Sequence, residues 1–309
     1  METKLKRMKE LIEILNYASK MYYQNSSPIM TDYEYDKLYD ELVKLEQETN
    51  TVFANSPTVN VETEVSQTLE KYEHKTPMLS LSKTKQVDEL IDFIGDKEGV
   101  LSWKLDGLTI VLTYNDGKLV RGVTRGNGII GEVVTENVKQ FKNVPFTIPY
   151  KGELIVDGEV IITKDEFINY GFDKEFKNQR NFASGAIRLL NSKESSSRHL
   201  SFVVWEVIKG FEEYKYLSLK LRAVEDLGFT IVPHYDNDTN MSLDEEIQNL
   251  KDIAEDEGYP IDGLVVKYND WKFGQSLGST SHHGRNALAF KFYDEEGETT
   301  LLDITWQLG

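Results

Sequence analysis

The sequence predicts an α+β fold: a small N-terminal helical unit, then a larger domain of antiparallel sheets flanked by helices. Three observations carry this. Apolar residues recur at helical spacing over residues 3–24 and again after Thr31, and short β-like runs follow from about residue 70. Two of those runs are joined by Asn115-Asp116-Gly117, a strong hairpin signal. Helical patterns interrupt the strands irregularly, which argues against a regular βαβ succession.

In the first helix Leu5, Met8, Leu11, Ile12, Leu15 and Tyr22 form one stripe, and Asn25-Ser26-Ser27-Pro28 ends it. Thr31 with Glu34 three residues on has the form of a capping box and opens a second helix through about Glu48. Residues 50–70 are polar and weakly patterned and predict a linker, so the helical unit with its linker spans 1–69 and the second domain 70–309. Strands are expected at 100–104, 108–114, 118–125, 154–163, 200–208, 263–268 and 288–293. Helices are expected near 131–141, 215–227 and 242–257. The stretch 236–258 holds nine acidic residues and one lysine, the composition of a solvated helix face.

Composition removes several classes of function. The 309 residues contain no cysteine, so disulfides, thiolate zinc sites, iron–sulfur clusters and cysteine nucleophiles are excluded. Lys and Arg number 35 against 52 Asp and Glu, a formal net charge of −17. Phosphate contacts supply most of the affinity for nucleic acid, so any grip on DNA must be local or come from segments beyond this chain. No apolar run approaches the roughly 20 residues of a membrane helix, and the first residues have scattered charges and no apolar signal core. A cytoplasmic location and no membrane partner are expected.

Five constellations can carry chemistry. Lys104 ends an apolar run and is followed by Asp106-Gly107; it reads as a nucleophilic amine or as an ordinary strand-edge lysine before a turn. Gly126-Asn127-Gly128-Ile129-Ile130-Gly131 has the spacing of a dinucleotide fingerprint, but the strand before it belongs to a hairpin and no acid follows at about 20 residues. That loop, bearing Arg125, either approaches a phosphate or ribose or is a simple turn. Glu159 lies within an apolar strand and needs a cation, a metal, a hydroxyl-bearing ligand or a structural ion pair. Lys267 and Lys291 each interrupt an apolar strand; with Lys104 and Arg125 they predict a cationic cluster for a polyanion, although each alone reads as a surface lysine. Asp32, Tyr35 and Asp36 share a helix face near Tyr22 and Tyr23 and suit a flat cation such as an oxidised nicotinamide, or are solvated acids beside a packing ring.

Together and in this order, these residues resemble the NAD-dependent DNA ligases, in their N-terminal helical subdomain and adenylation (nucleotidyltransferase) domain. Lys104-Leu105-Asp106-Gly107 is similar to the nucleophile motif of that family. Thr124-Arg125-Gly126, Asp157-Gly158-Glu159-Val160, Ile261-Asp262-Gly263 with Lys267, and Ala289-Phe290-Lys291-Phe292 resemble its later motifs. Asn178-Gln179-Arg180-Asn181 through Arg188 resembles its Asn-Pro-Arg-Asn stretch with Gln in place of Pro, and Pro77-Met78-Leu79-Ser80-Leu81 a nucleotide-contacting segment. Four positions depart from the pattern: Ser102 for a Glu that contacts adenine, Asn127 for Asp, Val133 for an acid, and Trp205 for a Tyr beside the adenine.

The resemblance implies that Lys104 attacks the α-phosphorus of NAD+, forming lysyl-AMP and releasing nicotinamide mononucleotide (NMN), with Asp106 beside it and Asp262 as proton acceptor. Tyr22, Tyr23, Asp32, Tyr35 and Asp36 would hold the NMN half; Ser80, Leu81, Ser102, Leu105, Arg125, Glu159, Arg180, Trp205, Lys267 and Lys291 would hold the rest of NAD+. Mg2+ is implied on the NAD+ phosphates and water without an assigned side-chain ligand, and zinc is not. AMP would then pass to the 5′-phosphate of nicked double-stranded DNA in the full-length enzyme, during DNA replication and repair. The OB-fold, zinc-finger, helix-hairpin-helix and BRCT modules of the family are expected to lie outside this chain, which reads as a catalytic fragment, monomeric, that charges itself with AMP but seals nicks poorly. An ATP-dependent nucleotidyltransferase, a dehydrogenase built on the glycine loop, and a non-catalytic NAD-binding relative are the alternatives.

Overall fold

The computed structural model describes residues 2–25, 30, 32–58, 69–189, 192–236, 241–280 and 283–292. The expected helices are α1 (Glu2–Asn25) and α2 (Asp32–Thr49). Leu5, Met8, Leu11, Ile12 and Leu15 of α1 are buried with Leu42 of α2 and with Phe53. The turn at 26–29 and the Thr31 capping position lie outside the described residues. Part of the expected linker is structured: β1 (Val52–Phe53) adds to the edge of a sheet, and Phe53 closes the helical core. An aromatic ring that would otherwise stay in water gains about 1.5–3 kcal/mol by such burial, which the polar average over 50–70 conceals.

The larger body continues with β2 (Lys71–Glu73), β3 (Ser80–Thr84), α3 (Val87–Ile94), β4 (Gly99–Leu105), β5 (Leu108–Asn115), β6 (Lys118–Thr124), β7 (Ile130–Glu132) and α4 (Thr135–Val138). Then come β8 (Pro145–Thr147), β9 (Glu153–Ile161), α5 (Lys164–Asn169), α6 (Gln179–Ala186), α7 (Ser192–Ser196), β10 (Ser201–Lys209) and α8 (Leu217–Glu225). The last elements are β11 (Thr230–Ile231), β12 (His234–Asp236), α9 (Leu243–Asp256), β13 (Ile261–Tyr268), α10 (Trp271–Ser276) and β14 (His283–Lys291).

Two principal sheets result, in the orders β1-β8-β6-β5-β9-β10-β11 and β12-β4-β13-β14-β3, beside a β2-β7 ribbon. Their pairings are antiparallel except β10 with β11 and β14 with β3. The β5–β6 hairpin turns at Asp116 and Gly117, with φ of 46° and 84°, the positive values a two-residue turn of this hand demands. One expectation fails here: 131–141 is not a single helix. Gly131 joins β7 so closely that a Cβ would lie 1.9 Å from the Thr124 carbonyl, and only the four residues of α4 turn helical.

Period-two alternation divides the faces. On the seven-stranded sheet Ile110, Leu112, Val156, Val160, Phe202 and Val204 pack against Phe182 of α6 and Leu221 of α8. On the five-stranded sheet Leu101, Trp103, Leu105, Leu264, Val266 and Phe290 pack against Leu90 of α3 and Leu250 of α9. The described part of the acidic segment, from 241 on, behaves as expected: α9 starts on a Ser242–Glu245 capping box, buries Ile247, Leu250 and Ala254, and exposes Asp244, Asp252 and Glu255. The remaining faces of the two sheets carry the polar residues of interest. Among the described residues no helix is long and apolar enough to cross a membrane.

Candidate active site

Alternation along β4 sends Leu101, Trp103 and Leu105 into the core and leaves Ser102 and Lys104 on the opposite face. Lys104 pairs with Gly263 of β13, and Gly263 in turn with Lys291 of β14, so the two lysines flank a glycine in one row. The register of β13 slips between Ile261 and Gly263, making Asp262 the extra residue of a bulge. Its carboxylate accepts from Lys104 Nζ at 2.7 Å and pairs with Lys291 Nζ at 3.0 Å. Burial would raise the Asp262 pKa, but the hydrogen bonds and charges of Lys104 and Lys291 prevail and hold it below the usual carboxylate range. Gly263 cannot be larger: a Cβ would stand 2.2 Å from the Phe290 carbonyl. Around this row Val265, Ala287 and Ala289, packed with Leu81, give the face a small-residue floor.

The seven-stranded sheet supplies the facing acids. Glu159 on β9 lies opposite Thr109 on β5 and accepts from its hydroxyl at 2.9 Å. Burial pushes the Glu159 carboxyl up to about 7, against the lowering effects of Thr109, Lys104, the Gly107 N–H and Arg180. Gly107 makes this approach possible, since a Cβ there would meet the Val160 carbonyl at 2.1 Å. Two residues along β9, Asp157 is buried beside Glu206, its cross-strand partner on β10. Burial, and next the charge of Glu206, drive Asp157 up to about 7, while Lys267 opposes them. Lys267 reaches across from β13, donating to Glu206 Oε2 at 2.5 Å and to the Trp205 carbonyl at 3.1 Å, with its ammonium 4.5 Å from the Trp205 ring centre. A register slip between Val204 and Glu206 sets Trp205 and Glu206 together at this point.

The remaining cations are held by separate partners. Arg125 donates to the Met78 carbonyl and to Ser80 Oγ at 3.3 and 3.1 Å. Arg180, in the first turn of α6 after the Asn178 cap, donates to Asp106 at 2.6 Å. Gln179 occupies the position where proline is tolerated and uses its amide on the Ile162 carbonyl. The expected knot of four cations is therefore dispersed: Lys104 and Lys291 share Asp262, Lys267 lies four residues, roughly 13 Å, along β13 with Glu206, and Arg125 binds the 78–80 segment.

The glycine loop is not a dinucleotide fingerprint. It joins β6 to β7 rather than a strand to a helix, and Asn127 Oδ1 closes it by accepting from the Ile129 and Ile130 amides. Gly126 has φ 57° and would place a Cβ 1.9 Å from the Ile130 carbonyl, so the loop is filled by its own backbone.

Of the residues singled out by sequence, Lys104, Asp262, Lys291, Glu159, Arg180 and Asp106 are joined by contacts or charge. Ser102 is buried on the same face. The side chain of Leu105 packs into the core on the other side of β4. Tyr35 packs against the helical core and stacks on Tyr39. Tyr22, Tyr23, Asp32 and Asp36 lie on α1 and α2, but their side chains are outside the described residues. Sequence reasoning gave no role to Thr109, Asp157 or Glu206; the alternation that marked Glu159 also marks Asp157. A concavity of about 590 Å³ under α2, lined by Tyr39, Val43, Glu46 and Phe146, contains no lysine and carboxylate in contact. No group of three or more His, Asp or Glu able to hold a metal occurs among the described residues.

Residues 66–295 match the family model described as the NAD-dependent DNA ligase adenylation domain, and residues 1–62 that of the DNA ligase-like, N-terminal NAD+-binding domain. The chain is 47% identical over 314 residues to the DNA ligase of Lachnoclostridium phytofermentans, covering 99% of this chain and 48% of that protein. It is 45% identical over 313 residues to the DNA ligase of Ruminiclostridium cellulolyticum, with the same coverage. The chain thus spans about half the length of the curated relatives it matches. Among solved structures, mycobacterial DNA ligase D complexed with ATP and MES aligns at 12% identity and a TM-score of 0.40 over 71% of this chain and 60% of that one, too distant to bear on the site.

Proposed function

We propose, for a chain that belongs to the NAD-dependent DNA ligases and contains their adenylation domain, that Lys104 takes AMP from NAD+. The Nζ lone pair attacks the α-phosphorus; the N–P bond forms as the P–O bond to NMN breaks, and the electron pair leaves with NMN. An ammonium must shed two protons to become a phosphoramide nitrogen, and Asp262 is the acceptor in direct contact with it. Lys291, on the other oxygen of Asp262, is placed to neutralise charge on the phosphoryl oxygens. Glu159, with its raised affinity for protons, suits hydrogen bonding to ribose hydroxyls as donor or acceptor. The observation that carries this reading is the Lys104–Asp262–Lys291 row.

The helical unit, with Tyr22, Tyr23, Asp32, Tyr35 and Asp36, would receive the NMN half. The described carboxylates form no ready metal cradle, so Mg2+ would be held by NAD+ phosphates and water, where it would add charge neutralisation. In the longer enzyme, AMP would pass to the 5′-phosphate of nicked DNA during replication and repair. We propose a monomer acting in the cytoplasm.

Intact mass after incubation with NAD+ and Mg2+, beside Lys104→Ala, tests the reading. One AMP adduct is expected on the parent and none on the variant. An adduct formed from ATP but not NAD+, or one retained by Lys104→Ala, contradicts it.

A further inference from the structure

Glu159 is buried on β9 among four neighbours on its face of the sheet: Thr109 on β5 and Val203 on β10 across the strands, Asp157 and Ile161 along its own. Val203 and Ile161 carry no polar side-chain atom, and Asp157 is a second acid. Among the described residues, the Thr109 hydroxyl gives the one side-chain hydrogen bond that this carboxylate receives, to Oε2 at 2.9 Å. The Gly107 N–H bears on the same carboxyl, and a Cβ at Gly107 would meet Glu159 Cγ at 3.0 Å. Threonine is stiff at χ1, and the Thr109 backbone is tied to β9 by the ladder and to the Arg125 N–H through its carbonyl at 2.9 Å. The hydroxyl therefore has a fixed direction. A carboxylate offers about four lone-pair sites, so these donors from the protein leave room for the vicinal hydroxyls of a ribose.

We propose that Thr109 is a positioning residue for NAD+, acting through Glu159: its hydroxyl holds one carboxylate oxygen, so that the remaining lone pairs meet the adenosine ribose in a single orientation. The proposal rests on the reading that Glu159 receives the ribose hydroxyls. Without the Thr109 hydroxyl the buried acid keeps its desolvation cost and loses its side-chain donor. It then turns toward Lys104 or Arg180, whose charges already bear on it, and either turn takes its lone pairs from the sugar. The position of Thr109 in the chain suits this role. Only Asp106 and Gly107 separate β4, which ends beside Lys104, from β5, which begins beside Thr109. One short connection thus links the nucleophile to the group that orients the sugar-binding acid.

The test is the rate of AMP uptake, well below saturation, from NAD+ and from its analogue with a 2′,3′-dideoxyribose on the adenosine side. The parent, Thr109→Val and Thr109→Ser are compared; valine keeps the shape without the hydroxyl, and serine keeps the hydroxyl. The readout is the preference for NAD+ over the analogue, a ratio in which any share of unfolded protein cancels. Thr109→Val should cut that preference by about tenfold or more, the usual worth of a hydrogen bond to a charged group, and Thr109→Ser should restore most of it. A loss that falls equally on both dinucleotides, or a serine variant that behaves as the valine one, overturns the proposal. Glu159→Gln checks that Thr109 acts through the acid: in that background Thr109→Val should lower the preference no further, and a second fall of the same size overturns the proposal. If the parent takes up no AMP, or takes it up without preferring NAD+, the adenylation reading or the ribose role of Glu159 fails and this inference with it. A parental preference that Thr109→Val leaves intact sinks the inference alone.

Discussion

Lys104 and Lys291 share one carboxylate because β13 carries a residue more than its neighbour β4 requires. Ile261 faces Leu105 and Gly263 faces Lys104; the surplus residue, Asp262, takes both ammonium groups. A regular ladder would have sent that side chain to one face or the other by parity, whereas the bulge re-aims it.

Asp262→Asn should therefore slow lysyl-AMP formation by about 10²-fold or more, the usual cost of losing a positioned proton acceptor. Single-turnover rates with NAD+ in excess check this. A rate within a few-fold of the parent would remove Asp262 from the proton path.

Gly263→Ala should be among the most damaging small substitutions in the protein. The added methyl would sit 2.2 Å from a backbone carbonyl, which side-chain motion cannot relieve. A loss of about 3 kcal/mol or more in urea denaturation is expected, against little change for Gly185→Ala, which meets nothing within 4 Å.

Asn127→Ala should cost about 1–2 kcal/mol, since two loop amides lose their acceptor. Asn127→Asp keeps the acceptor and should stay close to the parent. Thermal melts of the three proteins separate these outcomes; equal melting of Ala and parent would show the side chain idle.

Asp157 also predicts how stability follows pH. Its folded carboxyl holds its proton to about 7, above the unfolded value, so the folded state binds more protons than the unfolded one in between. Its contribution therefore declines as pH rises through that window and is level above it. Relative to the parent, Asp157→Asn should gain stability from about pH 4 to 7, on the order of 2–4 kcal/mol in all. Asp262 has the opposite sign: its lowered value gives stability present above the unfolded pKa and lost as pH falls through the folded one. Urea midpoints at pH 4.5, 6 and 8 measure both; a pH-independent difference for Asp157→Asn would refute the first.

Much of this was legible in the sequence because alternation and turn chemistry are local. Lys104, Lys267 and Lys291 stood out as charges at positions whose neighbours are buried, and Asn115-Asp116-Gly117 fixed a hairpin. What could not be read was pairing between strands distant in the chain. The partners of Lys267 and Arg125 follow from the two sheets facing each other and from the 78–80 segment crossing the glycine loop, and neither leaves a spacing in the sequence. Register was equally hidden: nothing local says that 262 is a surplus residue. Leu105 shares its motif with Lys104 and Asp106, and parity with Lys104 already puts its side chain on the other face of β4. Glu206, buried with a lysine 61 positions away, gave no signal beyond an acid in an apolar strand.

The indole of Trp205 lies beneath the ammonium of Lys267, and a cation this near an excited indole shifts its emission. A change in that spacing would therefore register as a change of colour or brightness. The sequence has only three other tryptophans to contribute background, at 103, 271 and 306. The molecule thus carries its own optical gauge of the point where the two sheets meet, readable in a stopped-flow fluorimeter without a dye or a label.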